Sequence, residues 1–167
     1  PGGDAQTLAA QARAVARSFY LHGTLAINDP DPVLVTPDYN LEEARAHMTL
    51  VAISGGSLFL GDRLDTLPAD RAALLAHREV LDIWREGRQA TPLDLFAGEE
   101  LPRLWKLTRA SGAHVIAIFN WSEESRQVRY DLGDLDLDAG HAYTFRDVWS
   151  RAPVTLVGGA LSLSLPA

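Results

Sequence analysis

Hydrophobic and polar positions change their period partway along this chain. From residue 4 to 22, Leu8, Ala12, Val15 and Phe19 recur at helical spacing, which predicts a helix with Asp4 as its cap and Gly23 as the left-handed residue that ends it. A short apolar run, Thr24 to Ile27, predicts a strand that stops at Asn28-Asp29-Pro30-Asp31-Pro32. Proline fixes its own backbone angle and pushes the residue before it away from helical geometry, so residues 28–32 should form a stiff, acidic loop. Asn40 followed by Glu43 has the spacing of a capping box and predicts a second helix towards Ser54, with Ala44, Met48, Val51 and Ala52 on one face. Gly55-Gly56 breaks it. A second apolar run, Ser57 to Leu60, ends in Gly61-Asp62, and Leu67-Pro68 then opens a third helix through Leu74 and Leu75, which residues 79–84 either extend or leave.

After residues 87–92 the helical period is lost and alternation takes over. His114 to Asn120 is apolar on both faces, as a central strand would be. Val128, Tyr130 and Leu132, and later Leu161, Leu163 and Leu165, alternate with polar neighbours as half-exposed strands do. Leu104 to Thr108, Tyr143 to Trp149 and Val154 to Val157 complete about six strands, the pattern of an antiparallel sandwich or small barrel. The fold class read from this is α/β followed by all-β, divided as residues 1–86 and 87–167. Two short strands joined by a helix make a right-handed parallel unit that carries acids at one end. Such strands are normally covered by neighbours on both sides, and these are expected to lie upstream of Pro1.

Composition narrows the partners. The 167 residues are 47% apolar, enough for a core, and carry 15 basic against 22 acidic side chains, a net charge of −7 without a basic run. Nucleic acid and anionic membrane surfaces are therefore poor partners, and neutral or cationic ligands fit better. With no cysteine there is neither a thiolate nucleophile nor a cysteine zinc site. No apolar run approaches the roughly 20 residues of a membrane-spanning helix. The five histidines, His22, His47, His77, His114 and His141, have no paired metal-ligand spacing. An EF-hand starting at Asp29 would need Gly and Glu where Leu34 and Asn40 stand. Ser54 lacks the upstream glycine of a nucleophile elbow. No metal or cofactor is expected.

Several words occur in a telling order: Asn28-Asp29-Pro30-Asp31, Glu42-Glu43-Ala44-Arg45, Ala52-Ile53-Ser54-Gly55-Gly56, Phe59-Leu60-Gly61-Asp62, Leu67-Pro68, Phe119-Asn120 and Asp147-Val148-Trp149. In this order and spacing the chain resembles the α-galactosidase-like (melibiase-type) glycoside hydrolases over nearly its whole length. The resemblance implies that Thr24 to Ile27 and Ser57 to Leu60 are the last two strands of a (β/α)8 barrel, followed by the family's C-terminal β-sandwich. It also implies that the two catalytic aspartates of a retaining mechanism belong to strands this chain does not contain. Residues 1–167 alone should then be inactive. The resemblance places a substrate-contacting acid at Asp31, with Asp29 and Asp62 nearby. The chain departs from the family at Pro32, where animal enzymes have methionine, at Ile27 in place of a tryptophan, and at Gly61 in place of a second acid.

A carboxylate can accept two sugar hydroxyls, which is the functional reading of Asp31; a loop acid pinning nearby amides is the structural one. Motif position favours function at Asp31, the loop pin is favoured for Asn28 and Asp29, and Asp62 fits either. Trp105, Trp121, Tyr143, Phe145 and Trp149 could stack on pyranoses, although most aromatics of a sandwich this size are core. The expected partners are a carbohydrate substrate and the rest of a barrel, or another chain, covering residues 1–86. The alternative is a non-catalytic carbohydrate-binding or interaction module.

Overall fold

The computed structural model describes residues 5–98 and 100–167. The predicted cap at Asp4 lies outside them. The first helix, α1 (Ala5–Ser18), buries Leu8, Ala12, Val15 and Ala16, and a single 3-10 turn (Phe19–Leu21) follows it. Gly23, with φ of 73°, turns the chain as predicted. The second helix, α2 (Leu41–Ile53), starts with the expected capping box: the Asn40 side chain accepts from the Glu43 amide at 2.9 Å, and the Glu43 carboxylate accepts from the Asn40 amide at 2.7 Å. Two of the orphan amides at this helix start are thereby satisfied.

The predicted stripe of α2 is buried, but Leu50 and Ile53 on another side are buried too. The helix lies between two clusters. One joins α1, Leu50 and Ile53 to Trp105, Leu107, Ala117 and Phe119. The other joins Val33, Val35, Ala44, Met48 and Val51 to Leu74 and Val80. After α3 (Ala69–Leu75) the chain does not continue as one helix. The His77 side chain accepts from the Val80 amide and opens a separate helix, α4 (Arg78–Arg85).

Among the described residues, seven strands follow: β1 (Thr91–Pro92), β2 (Leu104–Thr108), β3 (His114–Ile118), β4 (Arg126–Asp131), β5 (Phe145–Arg146), β6 (Pro153–Val154) and β7 (Ala160–Leu165). Their ladders are all antiparallel, in three small sheets ordered β1-β2-β3, β4-β7 and β5-β6. The long segments predicted around Tyr143–Trp149 and Val154–Val157 shorten to two paired residues each. His114–Ile118 is an edge of its sheet; β2 is the central strand, because Thr91-Pro92, which carries no strand signal, pairs on its far side. A third cluster, Leu104, Leu135, Leu137 and Leu161 with Tyr143, Phe145 and Leu163, lies wholly after residue 87.

The two predicted barrel strands need correcting. Thr24 to Ile27 is not a strand: His22 and Ala26 form one isolated bridge around a turn in which the amides of residues 24–26 all bond to the Leu21 carbonyl. Ser57 to Leu60 likewise forms no ladder. The parallel contact lies further along, where Val33 donates to the Phe59 carbonyl at 2.8 Å and accepts from Gly61 at 2.9 Å. Residues 28–33 and 57–61 therefore run side by side in the same direction, the Ser57 amide also donating to the Asn28 carbonyl at 3.3 Å. The apolar run that suggested a strand, Leu25 and Ile27, is exposed instead. Among the described residues no helix is long and apolar enough to cross a membrane.

Candidate functional site

The acidic loop alternates in its burial. Asn28 and Pro30 are buried, whereas Asp29 and Asp31 are exposed. An extended chain puts neighbouring side chains on opposite sides, so anchoring residues 28 and 30 leaves 29 and 31 facing solvent. Within the loop the Asp29 carboxylate accepts from the Asp31 amide at 3.3 Å, an Asx-type turn, and Asp31 takes a left-handed φ of 64°. A non-glycine residue held there stores about 1–3 kcal/mol of backbone strain. Asp29 thus shapes the loop, and Asp31 is the acid it presents.

Asp62 stands beside the parallel run, but its carboxylate is engaged. Its oxygens accept from the Val35 amide at 2.6 Å and the Thr36 amide at 3.2 Å, tying the segment after the loop to the segment after Leu60. His47 lies beneath, on α2. Its Nδ1 sits 3.3 Å from the Leu34 nitrogen and 3.2 Å from the Leu34 oxygen. Burial holds this imidazole below its ordinary 6.5, against the upward pull of the Leu34 hydrogen bond and of the Asp62 and Asp31 charges. Both acids therefore act on one buried ring. No sequence signal singled out His47, whose place on the α2 face reads as core.

The other candidates resolve as packing. Ser54 is fully buried and its hydroxyl donates to the Val51 carbonyl, so it is no nucleophile. Trp105 is a core residue. The Trp121 ring stacks on Phe119 at 4.8 Å and its Nε1 donates to the Pro102 carbonyl, while Trp149 donates to the Thr49 hydroxyl. Tyr143 and Phe145 pack against the β cluster. The described residues hold no group of three or more potential metal ligands.

The described residues thus combine helices and two extended segments that touch in parallel with a set of antiparallel strands. Residues 99–167 match the family model described as the α-galactosidase C-terminal β-sandwich domain. A probable α-galactosidase D from Aspergillus niger is 28% identical over 117 residues, covering 66% of this chain. Among solved structures, a GH27 β-L-arabinopyranosidase from Geobacillus stearothermophilus, in complex with arabinose, superposes with a TM-score of 0.83 at 22% identity, covering 99% of this chain and 41% of that one. α-Galactosidase I from Mortierella vinacea gives 0.79 at 18% identity, with 92% and 40% covered. The chain spans 17–18% of the length of the curated relatives it matches. It is similar to the C-terminal portion of the α-galactosidase-like proteins.

Proposed function

We propose that residues 1–167 act within a retaining α-galactosidase-like glycoside hydrolase, as the last parallel units of a (β/α)8 barrel and the β-domain that follows, dividing near residue 87. The observation that carries this reading is the parallel run of residues 28–33 beside 57–61, with Asp31 exposed on it in a left-handed turn. Ligand-binding groups of parallel α/β folds collect on the loops at strand ends. Asp31 accepts hydrogen bonds from hydroxyls of the sugar. Asp29 holds the loop, and Asp62 supports it from beneath through the Val35 and Thr36 amides. The nucleophile and the acid/base come from the remainder of the protein, since one carboxylate cannot both attack the anomeric carbon and protonate the leaving oxygen. Leu25, Ile27, Phe59 and Leu60, exposed beside the parallel run, are the edge against which that remainder packs.

The relatives point to two sugars of like ring stereochemistry, α-galactose and β-L-arabinopyranose, which differ by one hydroxymethyl group. Hydrolysis of the nitrophenyl glycosides of both by the full-length protein tests the proposal. The expected result is turnover of at least one by the full-length protein and none by residues 1–167. Asp31→Ala in the full-length protein should raise KM about tenfold or more, the loss of a charged hydrogen-bonding group. A full-length protein that hydrolyses neither, or an Asp31→Ala variant with native kinetics, overturns it.

A further inference from the structure

Four segments meet where α2 ends. The His22 Nδ1 lies 3.1 Å from the Asn28 amide. An amide N–H only donates, so Nδ1 is the acceptor and the proton sits on Nε2, which donates to the Gly87 carbonyl at 3.1 Å. The Asn28 side-chain amide, 5% exposed, donates to the Ser54 carbonyl at 3.3 Å and to the Gln89 side-chain oxygen. Gln89 in turn donates to the Ala90 carbonyl at 2.6 Å, and the Ala90 amide donates to Ile53 at 2.8 Å. The loop that presents Asp31 is thus tied through its first residue to residues 87–90, the link into the β-domain.

The backbone between these segments leaves no room for a side chain. A Cβ on Gly56 would stand 1.9 Å from the Asn28 carbonyl oxygen, and one on Gly55 2.7 Å from the Arg88 backbone carbon and 2.8 Å from the His22 Nε2. Trp84 closes the junction from α4, its Nε1 donating to the Gly56 carbonyl at 2.9 Å. A buried amide side chain is costly unless its hydrogen bonds are made, so satisfied polar groups at such a crossing fix one geometry where apolar packing would accept several. Beyond Asn28, buried Pro30 carries the constraint forward, because its ring removes a backbone rotation between the anchor and Asp31.

We propose that His22, Asn28 and Gln89 are positioning residues that set the place of Asp31 from the domain link, so that the seating of the β-domain governs sugar recognition. This rests on the glycosidase reading of Asp31. Gln89→Ala in the full-length protein should lower kcat/KM by about tenfold, less than the roughly 100-fold that a 1 Å misplacement can cost. In the Asp31→Ala background the same change should have almost no further effect, since coupled residues are not additive. Amide hydrogen exchange separates this inference from the assignment of activity. Gln89→Ala should speed exchange at the residue 31 and 33 amides and leave the β4-β7 ladder unchanged, whatever the protein hydrolyses. If Gln89→Ala does not fold, His22→Ala is read in the same two ways. Additive kinetics with Asp31→Ala, or unchanged exchange over residues 28–33, overturns the proposal.

Discussion

Leu104, Leu135, Leu137 and Leu161 close on one another after residue 87, while Leu25, Ile27, Phe59 and Leu60 stay in solvent before it. The difference lies in the pairing each strand finds. β2 and β3 are joined by the short turn at residues 109–113, while β4 and β7 pair antiparallel across the stretch that holds β5 and β6, and the two ladders run over five and six residues. Parallel neighbours need a crossover, and among the described residues the run of 28–33 beside 57–61 rests on one isolated parallel bridge. One cluster is built wholly from residues after 87, whereas Leu25, Ile27, Phe59 and Leu60 before it form an exposed flank.

The contrast would mislead if it suggested two independent bodies, because Trp105 of β2 sits in the cluster shared with α1 and α2. Trp105→Ala should cost the most, about 3–5 kcal/mol for emptying a fully buried site. Urea unfolding should show helical and tryptophan signals moving together; two separated transitions would break the view of a shared core. Next is Gly56→Ala, which pushes a methyl group into the Asn28 carbonyl, a backbone atom that cannot swing aside. A loss of about 3 kcal/mol is expected by urea titration, at the upper end of overpacking effects.

Acid should act on the α/β part first. The folded state holds His47 neutral by burial, so as pH drops below 6.5 the unfolded chain takes the proton before the native one does. The stabilisation is complete above that value and is lost until the lower folded pKa is reached, at a limiting slope of about 1.4 kcal/mol per pH unit. His47→Leu should flatten that slope below pH 6.5, and an unchanged slope would place the sensitive group elsewhere. The open flank predicts a change in association more than in stability. Leu25→Ser with Phe59→Ser should move stability by no more than about 0.5 kcal/mol per site and lower the apparent mass of residues 1–167 in sedimentation.

The smallest effect is expected at one of the ion pairs that bridge the two parts. Arg146 of β5 grips Glu79 of α4 through both guanidinium nitrogens and holds its carboxyl below the usual range. The pair is partly solvated, so Glu79→Gln should lower the melting temperature only slightly, and the difference should vanish in high salt. A large, salt-independent loss would mean that this contact, rather than Trp105, joins the parts.

Local signals were reliable where the chemistry was local. The capping box at Asn40 and Glu43, the turn at Gly23, the helix break at Gly55-Gly56 and the alternation of β4 and β7 all depend on neighbours a few residues apart, and all stand in the structure. The acidic loop was legible for the same reason, since two prolines and an Asx turn act within five residues. The apolar residues of Thr24 to Ile27 resemble a buried strand, whereas the Leu21 carbonyl captures the amides of residues 24–26 in a turn. Thr91-Pro92 could not be read, because two residues become a strand only when β2 passes beside them.

What the sequence determined by itself was the succession of helices, the stiff acidic loop and the alternating tail, each set by backbone preference and periodicity. Only the tertiary structure decided that Asp62 is spent on the Val35 and Thr36 amides, and that Asn28 answers to Gln89, 61 residues away. Side-chain hydrogen bonds across such separations leave no period in the chain, and the Asn28 contacts form where Gly55 and Gly56 let the backbones meet.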